Sequence, residues 1–280
     1  FRAGRAGGVL LGERGEVATL LELGDHVLGG FLFLPATPEV IAGVMAEAEA
    51  APEELSAIVN VMPAPPMPFL PAERHGKLVV MIMLVYAGDA QAGEQAVARL
   101  RELAEPVADL VRPMRYPEMF PPEEGDYHPT AVGHTLFLER VDRAAAETMV
   151  ERLQASDAAM RVVQLRVLGG AMARVPVEAT AFAHRQAKIL ANLAAFYDGP
   201  EDKARREAWV AELAAALDQG VAGAYVNFLG DDGEAQVRSA YPGATWERLR
   251  AVKRHYDPDN LFRLNYNIPP QQEARDGRSN

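Results

Sequence analysis

The sequence predicts an α+β fold: a large antiparallel sheet with helices on one face, laid out as a doubled split-βαβ (ferredoxin-like) pattern. Three observations carry this. Strand-like and helix-like runs follow one another as strand, helix, strand, strand, helix and closing strand, twice over. A stretch rich in Pro, Glu, Asp and Gly, Pro113 to Pro129, separates the two series as a natural joint. The chain of 280 residues, 49% of them apolar, is long enough to bury one large core or two of ordinary size. No residue-level repeat accompanies the doubling, so any duplication is structural.

The elements follow in order. His26 to Leu34 is an apolar run of β-type residues, and Thr37-Pro38 then starts a helix through about Ala50, with Pro where its missing N–H does no harm. Leu55 to Val61 reads as the second strand. The string Val61-Met62-Pro63-Ala64-Pro65-Pro66-Met67-Pro68 is too rich in proline for a central strand and is expected as a loop or extended edge. Leu78 to Tyr86 is a buried strand, and Gly88-Asp89 opens a helix through about Leu103. In the second series Val132 to Leu138 is a strand, and Asp142 caps a helix to about Gln154. Met160 to Leu168 and Lys188 to Tyr197 are strands, Pro200 to Leu217 is a helix, and Ala222 to Leu229 is the closing strand. Trp246, Leu249, Val252 and Tyr256 recur at helical spacing, and the residue before Pro258 is biased out of the helical region, so a last helix stops near Tyr256.

Composition excludes several function classes. A formal charge of -11, with both signs interspersed, provides no basic footprint for nucleic acid or an anionic membrane surface. There is no Cys, hence no disulfide frame and no thiolate metal site, and a cytoplasmic setting is the expectation. The six His residues, at 26, 75, 128, 134, 184 and 255, show no close pair with metal-ligand spacing, and no metal is expected. No apolar run approaches the ~20 residues that span a bilayer, and Phe1 to Gly30 lacks the order of a signal peptide. The glycines of 4–15 have no strand before them and no capped helix after them, so they make a poor phosphate loop. The chain opens on Phe1 and not Met, as expected if the natural start lies upstream.

The C-terminal string Tyr256-Asp257-Pro258-Asp259-Asn260-Leu261-Phe262-Arg263-Leu264-Asn265-Tyr266-Asn267-Ile268-Pro269-Pro270 resembles the signature of FAD-linked oxidases of the berberine-bridge-enzyme type, in the vanillyl-alcohol-oxidase and para-cresol-methylhydroxylase superfamily. The resemblance runs from about Val27 to Pro270. It implies a substrate-binding domain over 26–240, whose sheet roofs a cavity floored by the flavin, and a segment, 241–280, that returns to the flavin domain; residues 1–25 match poorly. The flavin domain of the family lies N-terminal to this part and carries a Gly-rich pyrophosphate loop and a flavin-attaching histidine, neither of which is found here. The expectation is therefore an FAD domain supplied in cis or trans. A roof without its floor exposes groups that normally cover the ring, which favours association, a homo-oligomer included.

The resemblance also assigns residues. Tyr225 and Asn227 match a Tyr-x-Asn motif followed by an acidic turn, here Asp231-Asp232; the family's Tyr is the general base while hydride passes to flavin. In a strand, Tyr225 and Asn227 share one face, with Ala224, Val226 and Phe228 on the other, and by the residues alone Tyr225 is an ordinary half-buried sheet tyrosine. A phenol of ordinary pKa ~10 works as a base near neutrality only if its phenolate is stabilised. Period two places Gln164 and Arg166 on one side of their strand, opposite Leu165 and Val167. Arg166, where relatives often have polar or acidic groups, either steadies a tyrosinate, holds an anionic substrate or faces solvent at a sheet edge. Thr180-Ala181-Phe182-Ala183-His184-Arg185 resembles a Phe-Pro-His-Arg segment with Ala183 for Pro, and His184 is either a substrate-side group or a partner for a backbone carbonyl. Asn265 and Asn267 match positions near the flavin ring and ribityl chain, although Asn also suits turns; Tyr266 stands where most relatives have Gln and either stacks, narrows the cavity or packs. The function implied is the substrate-binding and C-terminal part of an FAD-dependent oxidoreductase acting on an alcohol, sugar or similar small molecule. The alternative is a non-catalytic ferredoxin-like ligand-binding or assembly domain.

Overall fold

The computed structural model describes residues 27–120, 130–229, 233–264 and 266–271; His26, His128, Asp231, Asp232 and Asn265 lie outside them. Eight strands form one sheet: β1 (Val27–Pro35), β2 (Leu55–Pro63), β3 (Leu78–Tyr86), β4 (Ala108–Asp109), β5 (Arg112–Met114), β6 (Ala131–Leu138), β7 (Arg161–Val167) and β8 (Ile189–Phe196). Their order is β4-β1-β3-β2-β7-β8-β6, with β5 also on β1, and every pairing is antiparallel. The helices are α1 (Pro38–Ala50), α2 (Ala90–Arg101), α3 (Arg143–Ala155), the single turn α4 (Ala171–Arg174), α5 (Pro200–Leu217), α6 (Gly233–Ala240) and α7 (Ala244–Tyr256).

Local chemistry fixes the helix starts. The Thr37 hydroxyl accepts the Val40 N–H at 3.3 Å, and Pro38 occupies the first helical turn. Asp89 and Asp142 accept the N–H groups of Ala92 and Ala145, each at 3.0 Å. The strands bury every second side chain under these helices: Leu32, Val61, Leu84, Leu165 and Leu193 are fully buried with Ile41 of α1 and Met149 of α3. Each such side chain contributes ~1.5–3 kcal/mol of burial. Because α1 packs on α2 and α3, and α3 on α5, one face of the sheet is covered throughout. The two series meet at the β2–β7 pairing, where Ile58 faces Arg166 and Asn60 faces Gln164.

The structure departs from the sequence reading in three places. Strand β2 continues to Pro63, which pairs with Leu78 at the strand end, where a missing N–H costs little. Two short strands for which the sequence carries no expectation, β4 and β5, extend the outer edge of β1, β5 overlapping the start of the Pro113–Pro129 joint. The expected closing strand of the second series, Ala222 to Leu229, does not form: 221–225 is irregular and Val226–Phe228 is one 3-10 turn. Gly220 and Gly223 adopt φ of +74° and +129°, values that interrupt an extended strand, so β6 remains at the sheet edge. The turn also cancels the alternation, because Phe228 comes to the same side as Tyr225, their ring centres 5.2 Å apart.

Candidate active site

The face of the sheet opposite the helices carries the site. Pairing register places Phe31, Met83, Ile58, Arg166, Leu190 and Phe137 in one row across six strands, so Arg166 is a single cation in an apolar row. The neighbouring row is polar over its second half, with Asn60, Gln164, Asn192 and Thr135 side by side. There the Gln164 amide donates to Asn60 Oδ1 at 2.8 Å, and Asn60 donates to the Met81 carbonyl at 3.3 Å. Gln164 and Arg166 thus share the side that period two predicts, with Leu165 and Val167 in the core beneath the helices.

Arg166 is half-buried, and its Nη1 is sealed from solvent without a hydrogen-bond partner among the described residues. Its guanidinium carbon lies 4.8 Å from the centre of the Phe228 ring. Burial pulls its pKa below the ordinary arginine value, opposed by attraction to a negative charge on Tyr225, which puts guanidinium and phenol within electrostatic reach of each other. The Tyr225 hydroxyl accepts a hydrogen bond from Asn227 Nδ2 at 2.8 Å, even though the strand expected to align them is absent. Phe182 and Phe228 stand edge-on to the Tyr225 ring at 6.1 and 5.2 Å. Tyr241, which sequence reading did not single out, completes the group: burial and the Tyr225 charge both push its phenol above the ordinary value.

His184 is held from several sides. Its Nε2 lies 3.1 Å from the Ser239 carbonyl of α6, and its ring packs 4.9 Å from the Phe137 ring. A Cβ added at Gly223 meets the imidazole, with Nδ1 at 2.6 Å, so Gly223 leaves the space that the ring occupies. Burial pushes the His184 pKa below the ordinary value, and hydrogen bonds to the Ser239 and Ala240 carbonyls oppose this. The loop before it is fixed by the buried Arg185, which donates to Thr180 Oγ1 at 2.5 Å and to the carbonyls of Phe182 and Met172 at 3.2 and 3.3 Å.

The C-terminal segment closes on the same group. Asp257, buried at the end of α7, accepts the N–H groups of Leu261 and Phe262 at 2.8 and 3.0 Å and pairs with Lys253. Lys253 holds the Asp257 carboxyl below the usual carboxylate range. Farther on, Gln271 N–H donates to the Arg250 carbonyl at 3.2 Å and Arg254 donates to the Gln271 carbonyl at 3.1 Å, so the C-terminal segment is pinned to the α7 end at 261–262 and to α7 again at 271. Tyr266 reaches from it to donate to the Leu229 carbonyl beside the Tyr225 turn. Asn267 Oδ1 is sealed from solvent without a partner among the described residues, while Tyr256, Leu261, Phe262 and Leu264 are 75–87% exposed. Arg166 and Asn267 thus carry orphaned polar atoms, and the C-terminal segment bares large apolar side chains.

Two clefts lie away from this group: one of about 850 Å³ between the end of β8 and the start of α5, and one of about 210 Å³ between 178–181 and α7; neither includes Tyr225 or Arg166. In the larger cleft Arg205 and Arg206 pair with Asp157 and Asp202, so these four charges neutralise one another. Among the described residues no group of three or more His, Cys, Asp or Glu is placed to hold a metal, and no helix is long and apolar enough to cross a membrane.

Comparison with known proteins converges on one family. The family model "Berberine and berberine like" matches residues 224–269, a span that includes Tyr225, Asn227, Tyr266 and Asn267. The chain is 27% identical over 288 residues to (R)-6-hydroxynicotine oxidase of Paenarthrobacter nicotinovorans, covering 97% of this chain and 60% of that protein. It is 35% identical over 112 residues to the FAD-linked oxidoreductase YgaK of Bacillus subtilis, over 39% of this chain and 24% of that protein. Its fold matches 6-hydroxy-D-nicotine oxidase from Arthrobacter nicotinovorans with a TM-score of 0.71 at 21% identity, over 88% of this chain and 55% of that one. A variant of berberine bridge enzyme gives 0.69 at 17% identity over 88% and 56%. The chain thus spans little more than half the length of the relatives it matches almost throughout. With the sheet, the Tyr225–Asn227 pair and the pinned C-terminal loop in place, the chain is similar, in its C-terminal segment and in its fold, to FAD-linked oxidases of the berberine-bridge-enzyme type.

Proposed function

We propose that this chain forms the substrate side of a flavin-dependent oxidase that converts a C–H bond next to a hydroxyl, in an alcohol, sugar or similar small organic molecule, to a carbonyl. The observation that carries the reading is the Tyr225 hydroxyl, hydrogen-bonded to Asn227 inside the matched segment and set beside the unpaired Arg166 on the sheet face that the helices leave bare. FAD, when bound, supplies the hydride acceptor. This chain supplies the rest: Tyr225 takes the hydroxyl proton as the C–H bond weakens, and Arg166 lies within electrostatic reach of the phenol. Asn227 orients the phenol, and the aromatic edges of Phe182 and Phe228 limit its rotation and exclude water.

Gln164, His184 and Tyr266 are assigned to the substrate side. Gln164 keeps one amide N–H beyond the bond it gives to Asn60, and His184 fixes the wall formed by the 180–187 loop. Asn267 and Asn265 are assigned to the cofactor side together with Asn227; the orphaned Asn267 oxygen supports this, and Asn265 lies outside the described residues. The bare side chains of Tyr256, Phe262 and Leu264 support a flavin domain, joined in cis or in trans, as the body that covers them. The test is to load the complete protein with flavin and add primary and secondary alcohols, sugars and hydroxy acids without oxygen. Bleaching of the flavin absorption is expected with at least one of them, and a loaded protein that none reduces refutes the proposal.

A further inference from the structure

Arg166 carries a charge for which the surrounding residues have no answer. In its row it is flanked by Ile58 and Leu190, with Met83 and Phe137 beyond, and among the described residues no carboxylate pairs with it. Its side chain loses solvent to Phe228, whose ring occupies one side of the guanidinium, and one nitrogen is left without any acceptor. A stacked guanidinium still presents its N–H donors at its edge, in a fork that matches the two oxygens of a carboxylate. The adjoining amides bond to each other, Gln164 to Asn60 Oδ1, and neither accepts from the buried Arg166 nitrogen. Tyr225, in turn, accepts its hydrogen bond from Asn227 and not from Arg166.

From this we infer that the substrate is a small organic acid: a molecule with an apolar or aromatic body that lies on Met83, Ile58, Leu190 and Phe137, and a carboxylate that meets the edge of Arg166 while its hydroxyl faces Tyr225. A neutral acceptor, such as a sugar hydroxyl, fills one donor and leaves the buried charge in place. A carboxylate fills two and neutralises it, and that difference separates the two substrate classes. The inference rests on the proposed use of this face as the substrate side.

The experiment uses the complete flavin-loaded protein with two non-reacting probes of equal shape, benzoate and benzamide, their binding followed by calorimetry and by the shift of the flavin spectrum. Benzoate is expected to bind at least 10-fold more tightly than benzamide. Arg166→Met is expected to weaken benzoate about 100-fold and benzamide by less than 3-fold, with Arg166→Lys, which keeps the charge but loses the fork, between wild type and Arg166→Met. Equal affinity for the two probes in the wild-type protein overturns the inference without recourse to any variant, and so does an Arg166→Met protein that holds benzoate as well as wild type. Failure of the wider reading looks different: a Tyr225→Phe protein that turns over alcohols normally removes the oxidase mechanism, whereas loss of benzoate preference with a Tyr225-dependent turnover removes only the acid.

Discussion

Replacing Gly223 with Ala tests whether the turn that carries Tyr225 is built around His184. Two costs arise and they are separable. At φ +129° the backbone occupies a region that side chains other than Gly rarely tolerate, worth about 1–3 kcal/mol. The added Cβ also falls on the imidazole, 2.6 Å from Nδ1, and the ring cannot retreat freely because Phe137 packs 4.9 Å away and the Ser239 carbonyl holds Nε2. Overpacking of this kind costs about 1–3 kcal/mol. The sum, about 2–6 kcal/mol, corresponds to a fall in Tm on the order of 10 °C. Removing the ring relieves the overlap but not the backbone strain, so Gly223→Ala made in a His184→Ala background should cost only the first part. The double-mutant cycle, by urea denaturation of the four proteins, is expected to give a coupling of about 1–3 kcal/mol. A Gly223→Ala protein as stable as wild type, or a coupling of zero, contradicts the packing described here.

Two further outcomes follow from the same geometry. Burial, the larger influence, holds the His184 pKa below its ordinary value, so the opened or unfolded loop binds a proton at a pH where the folded one does not. The site is then stable above the ordinary histidine pKa of ~6.5 and loses stability as the pH falls through it. The NMR titration of His184 should have its midpoint below that of an unfolded peptide, and a midpoint at or above it contradicts the assignment. Asp257→Ala removes the acceptor for the Leu261 and Phe262 N–H groups and the partner of Lys253. Hydrogen exchange at Leu261 and Phe262 should accelerate at least 10-fold while the core strands keep their protection, and unchanged exchange at those two amides shows that the loop is held in some other way.

How much of this was legible in the sequence depended on how local each signal was. The starts of α1, α3 and α5 could be read because Thr37, Asp142 and Pro200 act within one turn of themselves. Strand β3 was legible from its unbroken apolar run, and the shared face of Gln164 and Arg166 from period two alone. The short strands β4 and β5 were not, because two or three residues joined to β1 by backbone bonds leave no pattern of side chains, and Pro113 argues against a strand. The closing strand failed for the opposite reason. Residues 224–228 do alternate, but Gly220 and Gly223 turn the chain across His184 before any partner strand is reached. Tyr225 and Asn227 meet all the same, through a hydrogen bond in a turn, so the pairing was readable and its structural cause was not. Tyr241 joins the site only through tertiary contact, and Phe228 through the 3-10 turn that replaced the expected strand.

The account stands on Tyr225 as the group that removes the substrate proton. Its most direct test is the rate at which the bound flavin is reduced, measured without oxygen in a single turnover of the complete protein, wild type against Tyr225→Phe. The account predicts a fall of about 10²–10⁴-fold with substrate affinity changed only a few-fold, since only the transition state needs the base. A Tyr225→Phe protein whose flavin is reduced as fast as that of wild type contradicts it.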